Sequence, residues 1–247
     1  MKQIQYEGFE LEHFDSASNF RDYQYYLIKP YLKGTFLEVG AGSGGLVNLY
    51  KKILKKITLI EPDKRLFKIL KKKFKKNKKE IIIKNSLLQD LKKKYDVIIY
   101  FDVLEHIKED LQEVKEAKKK LKKNGYLIFS VPAFQGFYND FDKKVGHFKR
   151  YNKKDFLKIS KKTNLTINQM KYYDSIGFFL LILNKLFSLK NSNLKNSILF
   201  WNFLIPISRL IDFITFNRFG KSLLCVFKNG WIQKNNNIFF SKLYFVR

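Results

Sequence analysis

A glycine cluster at the end of an apolar run is the part of this sequence whose spacing most clearly suggests chemistry. The segment from Phe36 to Gly45 reads FLEVGAGSGG. Because glycine has no side chain, such a turn lets main-chain N–H groups approach a ligand closely at the start of a helix. Gly40, Gly42 and Gly45 fit the pattern G-x-G-x-x-G, which many nucleotide-binding turns share.

Two carboxylates near this turn narrow the choice of ligand. Glu38 lies two residues before Gly40, where an acid would repel a pyrophosphate but could bind the ammonium group of a ligand. Glu61 ends the next apolar run, where a carboxylate can accept hydrogen bonds from both hydroxyls of a ribose. Glu61 fits a dinucleotide equally well, but Glu38 favours a nucleoside that carries an amino acid.

The elements that must position these residues alternate along the chain. After an N-terminal helix at 18–31, apolar runs predict strands and helical periodicity predicts helices between them. The strands are predicted at 35–39, 57–60, 81–83, 95–101 and 126–131, and the helices at 46–54, 63–76 and 108–122. This alternation predicts an α/β fold with a parallel sheet and helices on both faces.

The pattern changes after Pro132. An aromatic loop at 133–151 follows a strand's carboxyl end, where open α/β sheets bind ligands. A helix at 153–162, a strand at 165–173 and a last strand at 221–228 are predicted, with helices between 176 and 219 and a break in the second of them at Pro206. A tail follows from residue 229.

Composition excludes wholesale disorder and favours a cytoplasmic protein. The chain has 247 residues, of which 45% are hydrophobic, and one cysteine, Cys225, for which we expect core packing. The N-terminus lacks the apolar stretch of a secretory signal. The longest unbroken apolar run, from Ile176 to Leu183, is too short to span a membrane, so no transmembrane segment is predicted.

The net charge of +27 suits an anionic partner, either nucleic acid or an acidic membrane face. Only six of the 49 cations are arginine, however, and lysine, asparagine, isoleucine and phenylalanine are all frequent, as an A/T-rich coding bias would produce. The charge by itself therefore does not identify a partner.

Three motifs in order resemble the class I S-adenosylmethionine-dependent methyltransferases. They are the turn LEVGAGSG from Leu37, Glu61-Pro62-Asp63, and the segment YDVIIYFDVLEHI from Tyr95 to Ile107. The resemblance implies a Rossmann-like, doubly wound sheet of seven strands, mostly parallel, whose last strand is antiparallel. One methyltransferase domain is then expected, with an N-terminal helical cap at 1–34, a core at 35–175 and 221–228, a helical lid insertion at 176–220 and a tail at 229–247.

The same resemblance implies S-adenosylmethionine as cofactor and assigns its contacts by position. Glu38 and the turn residues Gly40, Ala41, Gly42 and Gly44 would hold the methionine end, Glu61 with Pro62 the ribose, Ser86 and Leu87 the adenine, and Phe101 and Asp102 the wall beneath the sulfonium. Many relatives have an aspartate where Ser86 stands, which leaves the contact with the adenine amino group open.

The acceptor side has weaker signals. The segments FSVPAF from Phe129 and GHFKRY from Gly146 resemble a narrower group within the fold, often associated with bacterial cell-surface glycan, lipid or small-metabolite pathways. Methyl transfer needs an aligned and deprotonated acceptor, so His147 is our first candidate for a base or acceptor clamp, and His106 the second. Arg150 and Tyr151 are predicted substrate contacts. Alternatively, the loop residues only anchor the loop by hydrogen bonds.

We therefore expect transfer of a methyl group to an oxygen of a small-molecule, lipid-linked or saccharide acceptor. An RNA methyltransferase is the alternative enzyme, but nucleic acid is not expected, since no RNA-binding module is visible and the fourth strand ends in FDVL rather than Asn/Asp-Pro-Pro-aromatic. A non-catalytic, basic membrane-surface protein is the third alternative.

Two further questions concern metals and partners. Asp140 and Asp142 lack a third ligand at a recognisable spacing, so no metal site is predicted. The segment 176–219 mixes apolar residues with Lys185, Lys190, Lys195, Arg209 and Arg218. It fits a lid over a lipophilic acceptor or, as the alternative, peripheral contact with an anionic membrane at its inner face. The oligomeric state stays open.

Overall fold

Seven strands form a single mixed sheet in a computed structural model, which describes residues 17–77, 80–187 and 194–230. The strands lie in the order β3-β2-β1-β4-β5-β7-β6. Their bounds are β1 Thr35–Val39, β2 Lys56–Ile60, β3 Ile81–Lys84, β4 Tyr95–Phe101, β5 Leu121–Pro132, β6 Thr166–Tyr173 and β7 Ser222–Lys228. The first five strands pair in parallel, and β7 is antiparallel to both β5 and β6. The predicted fold class is confirmed.

Eight α-helices in the described residues connect and cover the strands. They are α1 Ser18–Ile28, α2 Val47–Tyr50, α3 Lys64–Lys73, α4 Asp110–Lys119, α5 Asp140–Lys144, α6 Lys153–Thr163, α7 Ser175–Phe187 and α8 Leu194–Ile214. The tail residues from 231, the first 16 residues and Lys190 lie outside the described residues.

Side chains that alternate along the strands build two apolar cores, one on each face of the sheet. Phe36 packs into the first core with Phe20 of α1 and Trp201 of α8. Its neighbour Leu37 points the other way, into a core that includes Phe156 of α6. Because both faces are covered, the central strands β1, β2 and β4 are mostly apolar and buried, and their carboxyl ends remain open to a ligand.

Two predicted boundaries were wrong. The predicted helix at 46–54 is only one turn long, Val47–Tyr50. The predicted helix at 108–122 ends at Lys119, because Leu121 already pairs with Tyr95 at the start of β5. Leu121, whose apolar spacing suggested a longer helix, is therefore a buried residue of the following strand.

The predicted helix break at Pro206 was also wrong, since α8 continues through this residue. Proline has no N–H, and so it cannot bond the carbonyl of Asn202 four residues earlier. The side chain of Asn19 fills that position, and its Nδ2 donates to the carbonyl oxygen of Asn202 at 3.1 Å. A tertiary hydrogen bond thus replaces the missing helical one.

Helix α8 has 21 residues and is long and apolar enough to cross a membrane by length and composition alone. Charged residues such as Lys195 and Arg209 interrupt the apolar run, so the sequence predicts helices in this region but no transmembrane segment. A core helix of a soluble protein meets the same two criteria.

Candidate active site

The glycine turn after β1 needs glycine for two reasons. Gly40 and Gly42 have φ angles of +66° and +53°, which disfavour any residue with a side chain. A Cβ atom on Gly40 would also lie 2.6 Å from Cγ2 of Val103. The main-chain N–H of Gly40 donates to the carbonyl of Ile60 at 2.9 Å, so β2 fixes the turn.

Gly44 differs in position from the other predicted turn residues. It is absent from the residues that line the cavity beside the turn. A Cβ atom there would lie 2.7 Å from side-chain atoms of both Leu70 and Phe74. Gly44 therefore allows the turn to pack closely against Leu70 of α3 and against Phe74, the residue that follows this helix.

Glu61 connects the glycine turn with the end of β2. Its side chain is buried, and it accepts hydrogen bonds from the main-chain N–H groups of Gly42 at 2.8 Å and Asp63 at 2.9 Å. Burial raises the pKa of Glu61 to about 7, although these two hydrogen bonds oppose the shift. Each oxygen keeps a second lone pair, so the carboxylate can still accept from ligand hydroxyls.

Glu38 is held by a residue that the sequence did not indicate. The hydroxyl of Tyr50, in α2, donates to Oε2 of Glu38. Burial and the neighbouring carboxylate raise the pKa of Tyr50 well above its ordinary value, so this hydroxyl stays protonated and donates. Tyr50 has the helical spacing of an ordinary core residue, and that spacing gives no hint of its contact with Glu38.

A cavity of about 600 Å³ opens at the carboxyl ends of β1, β2 and β4. Except for Gly44 and Tyr151, the predicted site residues line it: Glu38, Gly40, Ala41, Gly42, Glu61, Pro62, Ser86, Leu87, Phe101, Asp102, His106, His147 and Arg150. The buried Oγ of Ser86 has no hydrogen-bond partner among the described residues, as expected of an atom that bonds a ligand. The lining therefore fits a nucleoside that carries an amino acid.

Helix α1 also contributes to the cavity, which the sequence did not predict. Phe20 and Arg21 line it, and Nη1 of Arg21 lies 3.7 Å from Oδ2 of Asp102. Asp102, the first residue after β4, has a φ angle of +55°, which is a strained backbone conformation for a residue with a side chain. No motif in α1 signals these contacts, because helical periodicity identifies only its apolar face.

On the acceptor side, a buried carboxylate organises two of the predicted residues. Oδ1 of Asp142 lies 2.8 Å from Nδ1 of His147, and Nε of Arg150 donates to both carboxylate oxygens at 3.0 Å. Burial alone would raise the pKa of Asp142, but the bonds from His147 and Arg150 lower it below its ordinary value. The charged Asp142 thus fixes the orientation of the His147 ring. Asp140 is exposed and pairs with Lys143 instead.

Glu105 and His106 lie beside His147 in the cavity lining, and the rings of the two histidines are in edge contact at a centroid distance of 4.7 Å. Oε1 of Glu105 lies 4.0 Å from Nε2 of His147, and within the described residues neither carboxylate oxygen of Glu105 has a hydrogen-bond partner. Burial and the nearby Asp102 raise the pKa of Glu105 well above its ordinary value. Burial and His147 lower the pKa of His106 to about 4, so its ring is neutral near pH 7.

These three side chains also form a group that could hold a metal ion. Glu105, His106 and His147 each offer one ligand atom, and the three atoms lie within 4.8 Å of one another. Among the loop carboxylates, the sequence drew attention only to Asp140 and Asp142, where no metal site is predicted. Asp140 pairs with Lys143, and Asp142 lies beside His147. The group was not predicted because Glu105 and His106 follow β4 and lie about 40 residues before His147 along the chain.

The prediction that Tyr151 contacts substrate was wrong. Its side chain is completely buried and lies outside the cavity lining. Its hydroxyl lies 3.2 Å from the carbonyl oxygen of Leu104 and 3.0 Å from Oδ2 of Asp110. Tyr151 therefore anchors the loop to the segment after β4, as the alternative interpretation expected.

Comparison with known proteins gives consistent matches. A family model described as a methyltransferase domain matches residues 11–169. The ubiquinone biosynthesis O-methyltransferase of Pelagibacter ubique (strain HTCC1062) is 31% identical over 106 residues, which cover 42% of this chain and 44% of that protein. The match therefore spans less than half of that relative's length.

Solved structures share the fold at low identity. Haemonchus contortus phosphoethanolamine N-methyltransferase 2, in complex with S-adenosyl-L-methionine, has a TM-score of 0.62 at 12% identity, over 91% of this chain and 59% of that chain. An S-adenosylmethionine-dependent methyltransferase from Clostridium acetobutylicum ATCC 824 has a TM-score of 0.57 at 13% identity, over 90% of this chain and 96% of that chain.

Proposed function

This chain belongs to the S-adenosylmethionine-dependent methyltransferases, and we propose that it methylates an oxygen atom of a small-molecule, lipid-linked or saccharide acceptor. When bound, S-adenosylmethionine supplies a methyl group attached to a positively charged sulfur. Glu38 and the turn at Gly40 and Gly42 would hold its amino-acid end, Glu61 its ribose and Ser86 its adenine.

The observation that carries the choice of oxygen is the contact between Asp142 and His147. A hydroxyl is a poor nucleophile until it loses its proton, whereas a neutral amine needs no base. Because Asp142 engages Nδ1 of His147, the ring's other nitrogen, Nε2, is directed toward Glu105 in the cavity. Nε2 can take a proton from an acceptor hydroxyl, and the charged Asp142 stabilises the positive ring that forms.

The cavity also suits an acceptor that is partly apolar. Its lining includes Phe20, Phe141 and Val145 beside the histidines. The sequence relative whose name specifies an O-methyltransferase supports the same atom. The buried Arg150, whose Nη1 has no hydrogen-bond partner in the described part of the chain, offers one donor to a polar group of the acceptor.

Methyl-labelled S-adenosylmethionine tests this proposal directly. The purified protein is incubated with a lipid extract, water-soluble metabolites or bulk RNA, and the labelled product is tested for release of its methyl group by ether cleavage. We expect O-linked label in the lipid or metabolite fraction, and a loss of about 100-fold or more in the rate for His147→Gln. The matched control, Asp140→Asn, changes an exposed carboxylate on the same segment and should retain the rate.

Other outcomes would contradict the proposal. Label on nitrogen would reject the choice of oxygen, and label in RNA would support the alternative enzyme. A His147→Gln variant with an unchanged rate would reject His147 as the base. S-adenosylhomocysteine binding by the variant, measured by calorimetry, shows that a lost rate does not reflect a lost cofactor site.

A further inference from the structure

The hairpin formed by α7 and α8 carries most of the exposed apolar surface of the described residues. Twelve of the twenty exposed large apolar side chains lie between residues 175 and 219. The most exposed include Leu186, Phe187, Phe203, Phe213 and Phe216, with Phe213 at 78%. Contiguous apolar surfaces of this kind mark sites of interaction on soluble proteins. We call all twelve exposed apolar side chains between residues 175 and 219 the outer face of the hairpin.

Helix α8 is apolar on two opposite sides. Ile198, Trp201, Ile205 and Ser208 recur at intervals of three and four residues and are buried against the protein. Leu199, Phe203, Ile207 and Leu210 recur at similar intervals and belong to the outer face. A helix that served only as a core element would have a polar outer side.

Buried hydrogen bonds hold the inner side of α8 on the core. Nε1 of Trp201 donates to Asp174 at 2.9 Å, and the hydroxyl of Tyr23 donates to Asp212 at 2.8 Å. Oδ1 of Asn202 accepts from the main-chain N–H of Phe20 at 3.0 Å. If α8 crossed a bilayer, these buried polar groups would lose their partners, at a large energetic cost. The helix is therefore suited to lie on a membrane rather than across it.

The charges around the hairpin favour an anionic surface. Between residues 175 and 219 the sequence has five cations and one acid, Asp212, which is buried. Because the net charge is +27, two copies of the chain would repel each other, whereas an anionic surface would attract the chain. Cations beside exposed apolar side chains are the pattern of helices that bind anionic lipid interfaces.

We propose that the outer face of the hairpin docks on an anionic phospholipid bilayer, with α7 and α8 parallel to its surface. Phe203 and Phe213 insert at the boundary between headgroups and acyl chains, and Lys195 and Arg218 contact the headgroup phosphates. This docking does not depend on the identity of the methyl acceptor, so its failure would leave the proposed O-methylation untouched.

Docking would also bring the acceptor side of the cavity close to the lipid. Phe178 of α7 packs against Phe134 and Phe137 of the loop after β5, at centroid distances of 5.1 and 5.6 Å. Nζ of Lys185 donates to the carbonyl of Gly136 at 3.0 Å. The hairpin thus contacts the loop that leads to His147, and a lipid-linked acceptor could enter without crossing bulk water.

Vesicle flotation with the full chain tests this inference. The probes are vesicles of phosphatidylcholine alone and vesicles with about a third phosphatidylglycerol. The variant Phe203→Ser/Phe213→Ser removes two exposed side chains of the outer face, and the matched control Leu157→Ser removes an exposed apolar side chain from α6. We expect the wild type and the control to float with the anionic vesicles, with weaker binding in high salt, and the double variant to bind about tenfold less.

Two results would overturn the inference. Flotation of the double variant equal to that of the wild type would mean that the outer face is not the contact. If the wild type stays in the bottom fraction, apart from the anionic vesicles, at low salt, no docking occurs. Light scattering on the same samples tests whether a second copy of the chain covers this face instead. A wild-type dimer that is lost in the double variant would mean that it does.

Discussion

The main-chain N–H of Gly42 donates a hydrogen bond of 2.8 Å to Oε2 of Glu61. This bond ties the glycine turn after β1 to the acid after β2, two features that are 19 residues apart in the sequence. A single carboxylate therefore both shapes the turn and lines the cavity. A change at Glu61 should affect the turn and the ligand together.

Glu61→Gln should remove the pH dependence of cofactor binding near neutrality. The pKa of Glu61 is raised to about 7, and ligand hydroxyls donate better to its charged form. Lowering the pH from 8 to 6 protonates the free protein at this site, so affinity for S-adenosylhomocysteine should fall by about tenfold in the wild type. Calorimetry at both pH values measures this change, and an equal fall in the variant would assign it to another group.

Gly40→Ala should destabilise the protein and weaken cofactor binding. Alanine pays roughly 1 to 2 kcal/mol at a positive φ, and its Cβ atom would contact Val103. Gly136→Ala is the matched control, because a Cβ atom there meets nothing within 4 Å. Thermal unfolding and calorimetric titration compare the two variants. Equal behaviour would show that the turn tolerates side chains.

Asp142→Asn should lower the free energy of unfolding by about 3 kcal/mol, because it leaves the buried Arg150 without its countercharge. Asp140→Asn, on the same helix, should change it by less than about 0.5 kcal/mol, since that side chain is 87% exposed. Urea unfolding of both variants provides the measurement. If the two values agreed, the buried ion pair would have no special role in stability.

Asn19→Ala should cost about 1 kcal/mol of stability in the wild type and less in a Pro206→Ala background. In the wild type, the side chain of Asn19 satisfies the carbonyl of Asn202 that Pro206 leaves without a helical partner. Alanine at 206 restores the N–H that can bond this carbonyl. A double-mutant cycle by urea unfolding measures the coupling, and additive costs would disprove it.

The sequence predicted the fold and most of the residues that line the cavity beside the glycine turn, for a physical reason. Backbone shape at Gly40 and Gly42 demands glycine. Glu38 lies near the end of β1 and Glu61 directly follows β2, and the apolar runs of both strands are easily recognised. These constraints are local, and each acts through residue type and spacing within a few positions of a strand end.

The parts that the sequence could not predict depend on contacts between distant segments. Tyr50 and Arg21 look like ordinary helix residues, and only the fold brings them to Glu38 and Asp102. Tyr151 lies beside Arg150 in the sequence but points into the core. The direction of a loop side chain is decided by tertiary packing, so neighbouring positions in one motif acquired different roles.

Calorimetric titration of the purified chain with S-adenosylhomocysteine, with NADH as the parallel ligand, tests whether the cavity beside the glycine turn binds S-adenosylmethionine. Both ligands suit a glycine turn followed by an acid, but the carboxylate of Glu38 disfavours a pyrophosphate. We expect binding of one S-adenosylhomocysteine per chain and no measurable binding of NADH. Binding of NADH, or failure to bind S-adenosylhomocysteine, would contradict this expectation.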